Sequence, residues 1–246
     1  TEREFQLDVF NVNILKASDS KNKFFTQEKK YPRLTKIKRM LGSKIPMYIT
    51  GVDHSFQQEI WNIADNTYFD GYWQSEKYFI YNENTVRKKF TLRFPLGSTA
   101  KIIADKMNDS SISLHVRRGD YVTNKKVAEM LGSCNLDYYQ SALLKATEGL
   151  DEPEIFAFSD DIEWVKKNIK TEHKITFVSE YKLEDWEEMI LMSKCRRHII
   201  SNSTFSWWGA WLDPREDKMV IAPSMPWFKD PRLDNKDIVP SSWIQI

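Results

Sequence analysis

The pattern of apolar and polar positions is most regular from residue 111 onward. Short apolar runs predict strands at residues 112–116, 154–158, 175–178, 198–201 and 219–222. The segments between them have helical spacing and predict helices at residues 136–147, 161–169, 184–195 and 204–212. Strands that alternate with helices in this way are typical of a parallel sheet with right-handed crossovers. We therefore expect residues 111–246 to form a Rossmann-like domain of the α/β class.

Residues 1–110 have a weaker pattern. Alternating apolar residues at 5–12 predict an extended segment, and the basic span 21–39 indicates a solvated helix or loop. A short strand is expected at 48–50 and an amphipathic helix at 98–108.

Aromatic residues alternate with polar ones in the stretch 68–79. Core packing is one interpretation of these rings. The other is a sugar-binding surface, because proteins hold sugar rings with a mixture of aromatic and amide groups.

The totals exclude several classes of protein. The 246 residues carry a formal net charge of +1, so the chain lacks the charge excess typical of nucleic-acid binding. No apolar run approaches the roughly 18 residues needed to span a bilayer, and no signal peptide is recognisable. The two cysteines, Cys134 and Cys195, have no metal-ligand spacing, which predicts free thiols in a reducing compartment. We therefore expect a cytoplasmic protein.

A cluster of charged residues follows the strand expected at 112–116. His115 lies in the strand, and Arg117, Arg118 and Asp120 come directly after it. Ligands of open parallel sheets bind at the carboxyl ends of strands, and the guanidinium fork matches the paired oxygens of a phosphate. Alternation along the strand places Arg117 on the side of His115 and Arg118 on the other side. The pattern predicts a diphosphate site with Arg117 as its principal ligand.

Other interpretations of this cluster stay open. Asp120 can form an ion pair with one arginine and hold the loop. Arg118-Gly119-Asp120 is also an adhesion tripeptide, although a three-residue match is weak and a buried strand would display it poorly. His115 either titrates near neutral pH or packs beneath the loop.

The second strand also ends in polar residues, Ser159, Asp160 and Asp161. One of them can cap the helix that follows. Alternatively, a carboxylate here can accept hydrogen bonds from a ribose or a base, as acidic residues do in nucleotide-binding sheets.

The strand expected at 198–201 leads into Asn202, Ser203, Thr204 and Ser206. Small hydroxyl and amide residues at the start of a helix present donors and the positive helix end to an anion. An N-cap is the alternative interpretation. Because three polar clusters fall at the carboxyl ends of one expected sheet, we favour a site for a nucleoside diphosphate.

The sequence lacks several motifs that would indicate other chemistry. It contains no Gly-x-Gly-x-x-Gly, no Walker-type phosphate loop and no Asp-x-Asp. Dinucleotide oxidoreductases and P-loop enzymes are therefore disfavoured, and no metal is expected if arginines neutralise the diphosphate.

Three motifs resemble those of the α-1,2-fucosyltransferase family. They are His115-Val116-Arg117-Arg118-Gly119-Asp120-Tyr121, Phe158-Ser159-Asp160-Asp161, and Ser201-Asn202-Ser203-Thr204-Phe205-Ser206-Trp207-Trp208-Gly209-Ala210-Trp211-Leu212. Three shorter stretches are similar to its bacterial branch, namely Gly71-Tyr72-Trp73-Gln74-Ser75-Glu76-Lys77-Tyr78-Phe79, Leu136-Asp137-Tyr138-Tyr139 and Val239-Pro240-Ser241-Ser242-Trp243.

The resemblance implies an inverting, metal-independent enzyme that moves L-fucose from GDP-fucose to O2 of a galactose-terminated glycan. It also implies two Rossmann-like domains in a GT-B-like arrangement. Residues 111–246 would bind GDP-fucose, and residues 1–110 would be the remainder of an N-terminal, acceptor-side α/β domain. That domain would be incomplete at its N-terminus, because the family's opening Gly-Gly-Leu-Gly-Asn-Gln segment is missing.

Carried over residue by residue, the motifs imply roles for individual side chains. The residues implied in catalysis are His115, Arg117 and Asp120. The residues implied in binding GDP-fucose are His115, Arg117, Arg118, Asp160, Asp161, Asn202, Ser203, Thr204 and Ser206. No metal or other cofactor is expected. Asp120 is expected to orient Arg117 or the donor, since neighbouring arginines would weaken it as a base.

Two other functions are kept as alternatives. One is a different nucleotide-sugar transferase of similar architecture, and the other is a non-catalytic module that binds a glycan or a nucleotide. The sequence indicates no nucleic-acid partner. It leaves open the oligomeric state and a peripheral contact with the inner face of a bacterial membrane.

Overall fold

The computed structural model of the protein describes residues 5–42, 47–51, 55–63, 65–230 and 233–246. These residues form a six-stranded sheet and a two-stranded sheet surrounded by helices. The strands are β1 (Met47–Thr50), β2 (Thr67–Asp70), β3 (Ser111–Val116), β4 (Glu154–Ser159), β5 (Lys174–Phe177), β6 (Arg197–Ile199), β7 (Met219–Ala222) and β8 (Ile244–Gln245). The helices are α1 (Asp19–Phe25), α2 (Gln27–Lys30), α3 (Pro32–Met40), α4 (Glu83–Lys89), α5 (Ser98–Ala104), α6 (Gly119–Thr123), α7 (Lys125–Met130), α8 (Leu136–Thr147), α9 (Ile162–Asn168), α10 (Asp185–Met192) and α11 (Thr204–Trp211).

The larger sheet has the strand order β5-β4-β3-β6-β7-β8, and every neighbouring pair is parallel. One of its faces packs against α8 and α9 through a core that includes Ile112, Leu114 and Val116. The other face packs against α5 and α10 around Phe156 and Phe158. Helices on both faces of a parallel sheet confirm the α/β class and give a Rossmann-like arrangement.

All five strands predicted for this sheet are confirmed, and β7 has the predicted bounds. β6 ends at Ile199 rather than at residue 201, and the chain then turns, with Ser203 N donating to Ser201 O (2.8 Å). β8 is only two residues long and was not predicted. Helices α6 and α7 were also not predicted, because residues 119–130 carry no clear apolar period.

The N-terminal part differs more from expectation. The extended segment predicted at 5–12 is wrong, because Leu7–Val9 forms a 3₁₀ turn that Phe10 closes by donating to Leu7 O (3.3 Å). The basic span folds as the helices α1 to α3, so the helical alternative is confirmed there. β1 begins one residue before its predicted start, and its parallel partner β2 was not predicted. The helix expected at 98–108 ends at Ala104.

The segment that follows β2 is attached to α11 by aromatic contacts. Phe79 stacks on Trp208 with centroids 5.6 Å apart and an interplanar angle of 15°. The indole N–H of Trp211 donates to a carboxylate oxygen of Glu76 (3.1 Å). These contacts confirm the packing interpretation for Phe79, and they bring the segment 72–79 to the edge of the larger sheet.

A line of buried polar side chains ties β3 to β6 and to the loop after α11. His198 contacts Ser113 Oγ through Nδ1 and Asp213 Oδ2 through Nε2, each at 3.0 Å. Arg215 Nε donates to the other oxygen of Asp213 (2.7 Å). Burial lowers the pKa of His198 in spite of the carboxylate beside it. Because all three members of this Ser-His-Asp line are buried, we assign it a structural role.

Both cysteines are free, as the sequence predicts, and the structure shows that both are buried. Burial raises the pKa of the Cys134 thiol to about 11, which leaves it protonated and unreactive at neutral pH. Among the helices of the described ranges, none combines the length and the apolar character that crossing a membrane requires.

Candidate functional site

A polar cleft of about 440 Å³ lies at the carboxyl edge of the larger sheet. Most of the residues that line it lie at or after the ends of β3, β4 and β5 or at the start of α11, and they include His115, Arg117, Asp160, Ser179, Lys182 and Thr204. Parallel pairing of β3 with β4 and β6 brings these strand ends to one edge. The structure therefore gathers residues from all three polar clusters of the sequence in one place.

Arg117 is held between two carboxylates at the entrance of this cleft. Its Nη2 lies 2.7 Å from Asp120 Oδ1, and its Nη1 lies 3.1 Å from Asp160 Oδ2. The guanidinium also lies 5.4 Å from the centre of the Tyr121 ring. Because these pairs use one hydrogen on each Nη, the fork keeps donors available for a ligand oxygen. The ion pair that the sequence left open for Asp120 is present, and it involves Arg117.

Arg118 points away from the cleft, as the alternation of the strand predicts. Its side chain lies over the Trp164 ring, 4.2 Å from the centroid, and its Nε is 3.3 Å from Asp161 Oδ2. Asp161 also caps α9 by accepting a hydrogen bond from Trp164 N (3.2 Å). Arg118 and Asp161 thus hold α9 against the sheet, and neither of them lines the cleft.

Asp160 joins the end of β4 to the turn after β3. Besides its pair with Arg117, its Oδ1 accepts a hydrogen bond from Arg118 N (2.9 Å). A Cβ on Gly119 would overlap the Asp160 carboxylate. The lack of a side chain at Gly119 therefore makes room for this carboxylate.

His115 lies at the floor of the cleft, only 4% exposed. Its Nδ1 contacts Ser201 Oγ at 2.9 Å, and its ring packs on Phe205. Burial, together with the charge of Arg117, lowers the pKa of His115 to about 3. The imidazole is therefore neutral at physiological pH and is a weak base.

The hydroxyl and amide residues predicted at the start of α11 fall into two groups, those that line the cleft and those that are buried beside it. Ser203 and Thr204 line the cleft. Asn202 is buried and donates to Gly132 O (2.6 Å), and Ser206 is buried and donates to Ser203 O (3.2 Å). No side chain caps α11, so its first N–H groups stay available at the cleft. Asn202 and Ser206 shape this junction, and Ser203 and Thr204 are the members that face a ligand.

The sequence analysis missed two charged groups of the cleft. Lys182 lines it from the loop after β5, where its backbone is left-handed (φ 51°). Glu188 lines it from α10 and accepts a hydrogen bond from Ser179 Oγ (3.2 Å). Burial raises the pKa of Glu188 to about 7. The carboxyl-end rule could have found Ser179, which directly follows a predicted strand, and it points to the loop that contains Lys182 three residues later.

No metal centre is apparent in the part of the chain that the structure describes. Within it, no three His, Cys, Asp or Glu side chains lie together in a way that could hold an ion.

The geometry is that of a Rossmann-like α/β protein with its ligand site at the carboxyl edge of the sheet. Residues 46–246 match the profile described as "Glycosyl transferase family 11". Because the match covers most of the chain, the chain belongs to this family of glycosyltransferases.

Several curated proteins are similar to this chain. An alpha-1,2-colitosyltransferase of Escherichia coli is 37% identical over 183 residues, which cover 72% of this chain and 62% of that protein. The O-antigen biosynthesis glycosyltransferase WbnK of Escherichia coli is 38% identical over 148 residues, covering 59% and 47% of the two chains. Human galactoside alpha-(1,2)-fucosyltransferase 1 is 25% identical over 147 residues, covering 55% and 40%.

The aligned region thus spans less than two thirds of the length of each of these relatives. No solved structure matches the chain.

The raised pKa of Glu188 makes stability depend on pH. Between about pH 4.5 and pH 7 the folded protein keeps a proton on Glu188 that the unfolded chain releases, so stability falls as pH rises through this window. The Glu188→Gln variant has no carboxyl group to ionise at this position, so its stability should not fall in this window. At pH 8 the free energy of unfolding of the variant should therefore exceed that of the native protein by about 1–3 kcal/mol. Urea denaturation at a series of pH values measures the difference.

Glu129→Gln, at an exposed position of α7, is the matched control and should follow the native pH profile. If Glu188→Gln has the same pH dependence as the native protein, Glu188 does not titrate as its burial implies.

Proposed function

We propose that this chain contains the donor-binding part of an inverting, metal-independent transferase. It would move L-fucose from GDP-fucose to O2 of a terminal galactoside. The proposal depends on one observation: the guanidinium of Arg117 and the first N–H groups of α11, which no side chain caps, lie at the same cleft. Membership of glycosyl transferase family 11 supports the sugar-transfer chemistry. Similarity to the human galactoside alpha-(1,2)-fucosyltransferase supports fucose as the sugar and a galactoside as the acceptor.

In this proposal the diphosphate binds between Arg117 and the first N–H groups of α11. Lys182, which also lines the cleft, adds a second positive charge. As the acceptor hydroxyl attacks the anomeric carbon, the bond from that carbon to the phosphate oxygen breaks and negative charge grows on GDP. The hydroxyl proton leaves to solvent late in the step, because the transition state resembles an oxocarbenium ion. Donors that are already in place stabilise this charge without reorganising, and this electrostatic effect is a large contribution to catalysis.

Asp120 and Asp160 act as positioning residues in this scheme. Each holds one Nη of Arg117, so the plane of the guanidinium is fixed before the donor arrives. His115 is too weak a base for a large part in proton transfer, since its pKa is about 3. We therefore place His115 beneath the diphosphate as a neutral contact rather than as the general base.

The domain division is part of the same proposal. Residues 111–246 hold the larger sheet and the polar cleft, and we assign them to donor binding. Residues 1–110 hold the two-stranded parallel sheet β1-β2, which we assign to an acceptor-side domain in a GT-B-like arrangement.

A second candidate donor carries a colitosyl group. The relative named an alpha-1,2-colitosyltransferase favours it, and colitose is fucose without the hydroxyl at C3. A site that pairs with that hydroxyl would reject the deoxy sugar strongly, whereas an apolar site would discriminate little. The ratio of kcat/KM for the two GDP-sugars therefore decides between them.

The test of the function is transfer from a panel of nucleotide sugars to lactose and related galactosides, with and without a chelator. We expect GDP-fucose to be used and the rate to persist in EDTA, because arginine and helix N–H groups stabilise the leaving group. Activity that EDTA abolishes and Mn²⁺ or Mg²⁺ restores would contradict metal independence. If another nucleotide sugar is used and GDP-fucose is not, the proposed donor is wrong. If the protein binds GDP but transfers no sugar, a non-catalytic binding module is favoured.

The two arginines provide a matched pair of variants. Arg117→Lys keeps the charge and loses the fork, so GDP binding should weaken by about 1–3 kcal/mol. Arg118→Lys loses the contact with Trp164 and should lower the unfolding temperature with little change in GDP affinity. Calorimetric titration with GDP measures both variants, and equal losses of affinity would contradict the assignment of Arg117 to the ligand and Arg118 to α9.

Asp120→Asn separates an orienting role from a basic one. If Asp120 orients Arg117, the variant should lose GDP affinity as well as turnover. If it is the general base, GDP affinity should hold while kcat falls by about 10²–10⁴. We expect the first pattern, and full activity of the variant would exclude both roles.

A further inference from the structure

A second cavity, of about 190 Å³, lies beside the polar cleft. We call it the aromatic cavity, because its walls are mainly the rings of Tyr72, Trp73, Phe79, Trp207 and Trp208. The remaining residues that line it, Gln74, Ser75, Thr204 and Ile238, carry no charge. Flat apolar faces with a few neutral polar groups suit an uncharged ring that has one hydrophobic face.

Gln74 places an unsatisfied acceptor at this cavity. Its Oε1 is buried and has no hydrogen-bond partner among the described residues. Buried amide oxygens are almost always paired, because leaving one unpaired is costly. A bound hydroxyl would supply the missing donor.

The backbone before Gln74 is also unusual. Trp73 adopts a left-handed conformation (φ 48°), which is rare for a bulky residue. It is held there by edge contacts with Phe69 and Tyr78, each with centroids 5.6 Å apart, and by Ser75 N, which donates to Trp73 O (2.9 Å). Strained residues of this kind cluster at ligand sites, because the surrounding structure must maintain them.

The aromatic cavity and the polar cleft share Thr204, the first residue of α11. If the diphosphate binds at the start of α11, the cavity adjoins the place where the sugar leaves the phosphate. The position of the cavity beside the leaving phosphate thus rests on the function proposed above.

From these observations we infer that the aromatic cavity binds a neutral pyranose ring, with Gln74 Oε1 accepting a hydrogen bond from one of its hydroxyls. Two sugars of the reaction share this chemistry, namely the transferred sugar and the terminal sugar of the acceptor. The lining side chains carry no positive charge, which disfavours the diphosphate as the occupant and favours a neutral ring.

The test uses Gln74→Met, which keeps the length of the side chain and removes its polar atoms. Gln58→Met, at an exposed position of the 3₁₀ turn Gln58–Asn62, is the matched control. Affinities of the native protein and both variants are measured for GDP, GDP-fucose, L-fucose and methyl β-galactoside. We expect Gln74→Met to bind GDP within about twofold of the native protein and to lose about tenfold in affinity for a sugar-bearing ligand, which is the value of one hydrogen bond.

The arms of the experiment identify the sugar. A loss confined to the galactoside assigns the cavity to the acceptor, and loss of the advantage of GDP-fucose over GDP assigns it to the transferred sugar. Unchanged affinity for every sugar-bearing ligand overturns the inference, as does a native protein that binds no sugar and binds GDP-fucose no better than GDP. A native protein that binds a free sugar through Gln74 but does not bind GDP would refute the proposed function and leave the sugar site standing.

The unfolding temperature separates these results from a folding defect. Because Gln74→Met removes an unpaired buried oxygen, it should unfold at or above the native temperature. A large decrease would mean that Gln74 supports the fold, and the sugar affinities are then measured with Gln74→Glu, which keeps an acceptor oxygen. In that variant retained sugar binding supports the inference, and a loss overturns it.

Discussion

The central position of β3 determines where polar groups can lie in this protein. The strand has parallel partners on both sides and helices on both faces, so all six of its residues are buried. A charged side chain in the strand would lose its hydration without compensation, and the first charges appear immediately after Val116. Because β4 and β6 run parallel to β3, their polar continuations reach the same edge. The cleft is therefore a direct consequence of burying one strand completely.

Within that cleft, the ion pairs of Arg117 do more than neutralise charge. An isolated carboxylate and an isolated guanidinium would each be mobile at the surface, and their attraction alone would add little stability. Here Asp160 is fixed by a backbone N–H of the turn and by the space that Gly119 leaves, so its position is set before Arg117 pairs with it. The pairs therefore act mainly on geometry. A preorganised fork loses less entropy on binding a phosphate than a free arginine does.

The parts of the fold that the sequence predicted well are those in which burial determines the pattern. The strands β3, β4 and β7 are continuous apolar or alternating runs, and α8 begins and ends where its period does. β8 was missed because two residues carry no period, and its pairing with Ile221 and Ala222 of β7 is a contact that a local pattern does not report. The extended segment at 5–12 was wrong because Leu7–Val9 closes locally as a 3₁₀ turn.

The same limit applies to the candidate site. The clusters after β3, β4 and β6 were recognisable because charge and hydroxyl groups directly follow strands. Burial, however, divides each cluster into members that face the cleft and members that hold the scaffold, and sequence alone does not show burial. Arg118 lies over Trp164, and Asn202 reaches back to Gly132, only because of tertiary packing. Glu188 was missed because it lies inside a helix, where a carboxylate normally indicates a solvated face.

The position of α11 joins the two cavities. Its first residue borders both of them, and its indoles fix it on three sides: Trp207 Nε1 donates to Ile238 O (2.8 Å), Trp208 stacks on Phe79, and Trp211 bonds to Glu76. A helix held this firmly keeps its N–H groups at a constant distance from the rings that line the aromatic cavity. A reaction that separates a neutral sugar from a charged diphosphate needs a low-polarity site and an anion site in fixed register, because small misplacements of reacting atoms are costly. The tryptophans of α11 thus set the distance between the two halves of the proposed substrate.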